Sequence, residues 1–599
     1  MRRQINKYFI ENNPSILEEM LYHNRVYGRL DNGIRRFFYM IQLFFKYSIM
    51  KSHPLQEKHK RQCKAVYPES QRNQKVQLDV INQKVKENEC IICDIWNVLF
   101  CETLNRQQIL ALAEIKLQYI GLSDIPDLSQ KLNSEQLQNI ENIYSDFVIM
   151  NIAVKKILDE TSHSGKRVFV YNNSELPNQF INKILKKNGC EYEITSNIEN
   201  GIHITNRGRH NNEVIYKNIK YMGEIYRPYY YTNVVTAFYN QLVNMKFHST
   251  GKLYSLFYEY GYTCGGILIC GFCQFLENLA KQENIDKFLF VARDGDIMSQ
   301  VYKRYFNHLD SSYLIFSRFA SYELIFEDFP DEYIDKNIKT RIDRENTDNS
   351  IKKIVSECGL EFICQYLDEE ELDEREILTH DNYMQFRKIL IRHKEEIQDS
   401  FENTCTAAKK YFLREIQGKN KVCIVDLGWH GKSIVYMKHL CERKYGWKGS
   451  IVGAMIGASE NQIVQTHIRT GLIHTYAFEN EYWRNLGIQA GKHMNYKECI
   501  CLEELFSSPN DTLLRYKSDK DGHSDFIYGK KNQNKKIIEQ IHSGILDFTD
   551  QFMPVIQKYN LMITPRDAYT PTDACMRNQN YVDMLYERYD EEPNAINGF

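Results

Sequence analysis

The sequence predicts an α/β protein in which two successive sets of strand–helix units form two domains. Short apolar runs rich in β-branched residues alternate with longer helical stretches, first from residue 86 and again from about 236. Several of these runs end in an acidic or amide side chain beside a turn residue. In an open α/β sheet that position is the carboxyl end of a strand, where ligands bind.

Residues 1–85 read as a polar helical region closing in a charged linker, "SHPLQEKHKRQCKAVYPESQRNQK". Within it, "GIRRFFYMIQLFFKYSIMK" (33–51) sets Phe37, Phe38, Ile41, Phe44, Phe45 and Ile49 at mostly helical spacing among basic side chains. Such a helix either docks on the body of the protein or lies in the plane of a membrane surface. The start of the chain has no apolar h-region and no secretory signal is expected.

Residues 86–235 form the first α/β domain, with strands in "CIICDIW", "RVFVYNN" and "GIHITN" and about sixty helical residues between the first two. Residues 236–520 form the second, with strands in "DKFLFVARDG", "SSYLIFSRFA", "KVCIVDLGWHGKS" and "GSIVGAMIGAS". The charged stretch 327–415 reads as a helical insertion, and 521–599 as a helical segment whose tail is irregular from 564.

Composition sets bounds. Apolar residues make up 43% of 599, charged residues 26%, and the formal net charge is −2. This is an ordinary globular balance, without the basic excess that would draw nucleic acid. The 16 cysteines form no framework, which suits reduced thiols in a cytoplasm. Of two CxxC pairs, Cys90 and Cys93 would face opposite sides of a strand. Cys270 and Cys273 have no second pair at ligand spacing, so zinc is not expected.

In the second domain, Arg293–Asp294, Arg318 and Asp426–His430 each follow an apolar strand and precede a helix. Gly295, Gly428 and Gly431 let backbone approach a ligand. Arg293 and Arg318 suit phosphate or carboxylate oxygens. Asp294, Asp426 or His430 are candidate general bases. Trp429 either stacks on a sugar ring or fills the crevice. "GWHGKS" is not a phosphate-binding P-loop, because Asp426 stands where the first glycine is needed.

The order strand–Asp94, strand–Asn172, strand–Asn206 resembles the haloacid dehalogenase (HAD) superfamily. More narrowly, residues 86–520 resemble HAD-like two-domain proteins encoded among bacterial capsule and O-antigen genes. In those relatives the first strand ends in a form like D-I-F-D-T-L, the second in S-D-M-Y-L-P and the fourth in H-I-G-D-N; here the chain reads "DIWNVL", "NNSELP" and "HITNRGRHNN". The resemblance puts Asp94 in the nucleophile's place, but Val98 replaces the threonine and Asn172 the serine. Asn206 and Asn212 stand where metal-binding carboxylates belong. Mg²⁺ is therefore disfavoured and phosphatase activity is expected to be absent; Asp94 is left to cap the turn after its strand.

The second half carries the family's A-R-D-G motif intact as Ala292–Gly295, "SRFA" with Ser317 and Arg318, the D-I-G-W-x-G pattern as Asp426–Gly431, and an E-L-L-F-S-A-P-like stretch that contributes Glu503. The resemblance implies a cytoplasmic protein of surface-polysaccharide biosynthesis, peripheral to the membrane if 33–51 is interfacial, with no metal and no assigned cofactor. Its second domain would act on a phosphorylated or nucleotide-linked sugar or polyol, as a glycosyl- or phosphosugar transferase. Two alternatives stand beside it, a non-catalytic scaffold or regulator of polysaccharide assembly and a Mg²⁺-dependent HAD phosphatase.

Overall fold

The run "CIICD" is buried at every residue because it becomes the middle strand of a parallel sheet, with a neighbour on each side. A computed structural model of the chain describes residues 68–589, apart from 126–127, 175, 199–200, 209–211, 217–232, 249–251, 253, 343–348, 460, 480–495, 519–523, 530, 577–578 and 588. The amphipathic stretch 33–51 lies outside the described residues. The chain is an α/β protein with two five-stranded parallel sheets.

The chain divides into two compact units. The first comprises the residues up to Cys270 and Ser543–Leu585; the second holds the described residues between Gly271 and His542 and those from Tyr586 on.

In the first unit, β1 (Cys90–Asp94) is followed by β2 (Phe100–Glu102) and β3 (Val148–Met150), which pair antiparallel. The main sheet continues through β4 (Arg167–Tyr171), β5 (Glu193–Thr195), β6 (Ile202–Thr205) and β7 (Glu213–Ile215). Its order is β5-β4-β1-β6-β7. The expected sixty-residue helical stretch after β1 is corrected: helices Arg106–Leu117 and Ser134–Asp146 lie between β2 and β3, and Ile152–His163 follows. Both of the first two helices start in reciprocal caps. Asn105 with Gln108, and Asn133 with Gln136, satisfy backbone N–H groups that the first turn leaves open.

In the second unit, β8 (Lys287–Val291), β9 (Asp310–Leu314), β10 (Lys421–Trp429), β11 (Ser450–Ala458) and β12 (Ile473–Phe478) form a parallel sheet ordered β12-β11-β10-β8-β9. Residues 327–415 are largely helical, as expected. A hairpin of β13 (Leu513–Ser518) and β14 (Ser524–Tyr528) is held to the same unit by a buried ion pair. Arg515 forks onto the Glu323 carboxylate, Nε at 3.0 and 2.9 Å and Nη2 at 2.6 Å, and Glu323 is 2% exposed.

Helix 256–283 is long and apolar enough to cross a membrane, but 72% of its apolar window is buried inside the protein, as in a core helix. The irregular tail expected from 564 is also corrected, since Pro565–Met576 and Gln579–Tyr586 are helical.

Two glycines set how closely the second sheet packs. A Cβ on Gly295 would lie 2.7 Å from the Phe290 carbonyl carbon, so the glycine lets helix Gly295–Tyr305 start tight against β8. Gly428 has φ +147°, and a Cβ there would sit 2.0 Å from the Gly457 carbonyl oxygen on the neighbouring strand. Gly428→Ala is predicted to cost about 3 kcal/mol, lowering the melting temperature of this unit by roughly 6–12 °C in calorimetry. An unchanged melting temperature would show that β10 and β11 can separate at this point.

Candidate functional site

Each sheet has one place where successive connections leave in opposite directions, and there the strand ends part to form a crevice. In the first unit this place lies between β1 and β6; in the second, between β8 and β10.

The first crevice is filled by the protein itself. Asp94 ends β1 and is 3% exposed. His203 Nε2 lies 2.8 Å from its Oδ1, and the Thr205 hydroxyl donates to its Oδ2 at 2.7 Å. His203 and Thr205 alternate along β6, so both point to one face. Glu213 of β7 closes the far side of the imidazole, Oε1 to Nδ1 at 3.6 Å. The turn-capping role expected of the Asp94 side chain is therefore corrected. The Leu99 N–H is accepted by the main-chain carbonyl of Asp94 at 3.2 Å, and the carboxylate is spent on β6.

The residues around Asp94 do not fit the Mg²⁺ that the alternative, a HAD phosphatase, would need. Val98 is buried. The Asn172 side-chain oxygen accepts from the Ser174 N–H at 3.2 Å and hydroxyl at 2.8 Å, while its amide donates to the Leu176 carbonyl at 2.7 Å. Asn206 is partly exposed just beyond β6, and Asn212 is exposed with its carbonyl accepting from the His203 N–H. Among the described residues no group of three or more His, Cys, Asp or Glu could hold a metal ion.

The second crevice gathers titratable groups. Asp294 stands at the N-terminus of helix Gly295–Tyr305 but makes no side-chain cap there. Burial, then the charges of Asp426 and Glu503, push its pKa up to about 7, against the pull of Arg293 and Arg318. Asp426, in β10, is buried; burial raises its pKa, while the Ser433 hydroxyl, Arg318 and the Leu427 N–H, which donates to Oδ1 at 2.8 Å, oppose the rise.

Around this acidic floor, Trp429 has φ +63° and its indole N–H donates to Glu503 Oε1 at 2.7 Å. Its ring centroid lies 5.8 Å from that of Phe478, so the indole is packed into the wall of the crevice. Ser317 caps helix Arg318–Ile325, and Arg318 opens that helix with its side chain exposed. His430 is exposed; burial, then Arg318, Lys432 and Lys336, lower its pKa and favour the neutral imidazole. Gly431, at φ +66°, precedes helix Lys432–Lys438.

No protein-family model matches the chain, and no curated protein matches it significantly.

Asp426, Glu503, Arg293 and Arg318 are near enough for their charges to act on Asp294, and Arg318 acts on Asp426 as well. A carboxyl that titrates near neutrality, set among guanidinium groups, has the properties of a general acid or base beside an anion. Several participants were not predicted from sequence: Ser433 and Lys432 after the glycine turn, Lys336 in the helical insertion, and Tyr589, whose phenol feels Arg293, Asp294 and Glu504. The hydroxyl in "GKS" marks Ser433; Lys336 and Tyr589 lie far from any motif.

Asp94→Ala leaves His203 and Thr205 without their buried acceptor, so it should cost about 3 kcal/mol. Asp94→Asn, which keeps an oxygen, should cost less. Thermal melts of both variants measure this, and equal stability to the parent would contradict the sealed crevice.

With its pKa raised in the folded state, Asp294 contributes stability that is fully present below its unfolded pKa of about 4 and is lost as pH rises through about 7. Asp294→Asn should therefore raise the melting temperature at pH 8 and change it little at pH 4. The same gain at both pH values would show that Asp294 is not desolvated.

Proposed function

We propose that this protein handles a phosphate-linked sugar in bacterial surface-polysaccharide biosynthesis, with its chemistry at the crevice between β8 and β10. The observation that carries the reading is the pairing of Asp294, titrating near neutrality, with Arg293 and Arg318 at the carboxyl edge of a doubly wound sheet. The arginines would hold the phosphate of a sugar phosphate or sugar nucleotide. Asp294 would take the proton of the acceptor hydroxyl as the bond to the departing phosphate breaks, and Asp426, steadied by Ser433 and the Leu427 N–H, would orient the acceptor. The reaction class is transfer of a sugar or sugar phosphate.

The first unit is, on this reading, a HAD-like fold without phosphatase chemistry. Two observations support it. The strand order β5-β4-β1-β6-β7 places Asp94 on the central strand beside the switch point, with a small antiparallel pair between β1 and β4. Both oxygens of the Asp94 carboxylate are also taken by β6. Retention of such a unit suits a scaffold for the second.

The test is a panel of nucleoside-diphosphate sugars incubated with the full-length protein, following release of the nucleotide. Asp294→Asn should lower the rate by about a hundredfold or more, while Asp94→Asn leaves it unchanged. Undiminished turnover in Asp294→Asn, or loss in Asp94→Asn, would overturn the assignment of the crevice.

A further inference from the structure

The two turns that flank the second crevice are joined by one short segment, 503–508, which the proposed chemistry does not use. It begins at the end of helix Tyr496–Glu504, and its Leu505 and Phe506 are fully buried. At one end, Glu503 Oε1 accepts the Trp429 indole N–H at 2.7 Å and so holds the turn that ends β10. At the other, the buried Ser508 hydroxyl donates to Asp296 Oδ2 at 2.7 Å. Asp296 belongs to the opposite turn, where its N–H donates to the Arg293 carbonyl at 3.1 Å. Its second oxygen, Oδ1, accepts from the Gln300 amide at 2.9 Å, which fixes the carboxylate between helix Gly295–Tyr305 and the segment.

The segment is itself anchored from behind. His542 Nε2 donates to the Ser507 carbonyl at 2.9 Å and the Asn532 amide to the Ser508 carbonyl at 2.8 Å, both from buried side chains. The Ser507 hydroxyl lies 3.2 Å from the Tyr589 hydroxyl. Turns at strand ends are ordinarily the mobile part of an α/β sheet, yet groups that act together must be held within about half an ångström of their working geometry. Trp429 also sits in left-handed backbone, which a bulky residue adopts only where its surroundings hold it. One anchored piece of chain supplies a direct bond to each turn.

We propose that 503–508 is a clasp in which Ser508, through Asp296, and Glu503, through Trp429, are positioning residues that hold the two turns of the crevice at their working separation before substrate arrives. The inference rests on the reading of the crevice given above and adds the device that presets its geometry.

The experiment is amide hydrogen exchange of the full-length protein without ligand. Ser508→Ala should speed exchange at 292–296 by at least about fivefold, as loss of one buried hydrogen bond gives, and leave 426–431 little changed. Glu503→Ala should do the reverse. Asp296→Ala removes the other end of the Ser508 bond at a partly exposed position, so it should reproduce the Ser508→Ala result and guards against misfolding of that variant. Unchanged exchange in the turn named for each variant, or a rise spread evenly over the second unit, would overturn the clasp.

A double-mutant cycle of Ser508→Ala with Asp294→Asn, melted at pH 8, separates positioning from plain stability. Asp426, Glu503, Arg293 and Arg318, whose charges act on Asp294, are the same in all four proteins. A loosened turn lets water reach Asp294, so the rise in melting temperature from Asp294→Asn should fall by about half or more in the Ser508→Ala background. An undiminished rise would show that Ser508 serves stability alone and would overturn its positioning role. In the nucleotide-release assay, Ser508→Ala should lower kcat about tenfold with KM changed less than about twofold. If no nucleoside-diphosphate sugar is turned over while exchange responds as stated, the reading of the crevice fails and the clasp stands.

Discussion

The candidate site depends on the direct pairing of β8 with β10. Their register runs from Val422 opposite Lys287 to Val425 opposite Phe290, so the two strands leave the sheet side by side. The chain steps from β8 outward to β9 and from β10 outward to β11 in the opposite direction. Right-handed crossovers in opposite directions depart on opposite faces, so the two strand ends must part. Ala292–Gly295 and Asp426–Gly431 are the residues at that parting. Gly295 and Gly428 allow it without strain, one by its approach to Phe290 and the other by its backbone angle against Gly457.

The same topological opportunity exists in the first unit and has been closed. A buried carboxylate is costly unless its oxygens are bonded. Here the partners come from the adjacent strand, through the alternation of His203 and Thr205 on β6. The carboxylate at the end of β1 thereby holds β1 to β6. Two sheets of like topology differ at their crevices, because fold is set by strand pairing and chemistry by a few groups at one edge.

Both sheets were visible in the sequence where strands are central. β1, β8, β10 and β11 are continuous apolar runs, buried on both faces, and such runs stand out. β5 and β7 are three-residue edge strands opening on a glutamate, and the apolar run of β12 is broken by adjacent His474 and Thr475, so these escaped notice. The motif residues Asp294, Asp426 and Glu503 were legible, and the structure brings their charges together. His203 and Thr205 were missed although the pattern I-H-I-T carries their signal. A strand between two others that alternates apolar and polar residues must satisfy the polar face internally. Lys336 and Tyr589 could not have been found, because they reach the crevice through chain far from it in sequence.

The measurement that bears most directly on the central claim is hydrogen–deuterium exchange of the intact protein, with and without a nucleoside-diphosphate sugar at saturating concentration. The account predicts new protection in 291–296 and 426–433 and none in 91–103 or 170–176. Protection confined to the segments around Asp94 and Asn172 would contradict it, and would return the chemistry to the first sheet.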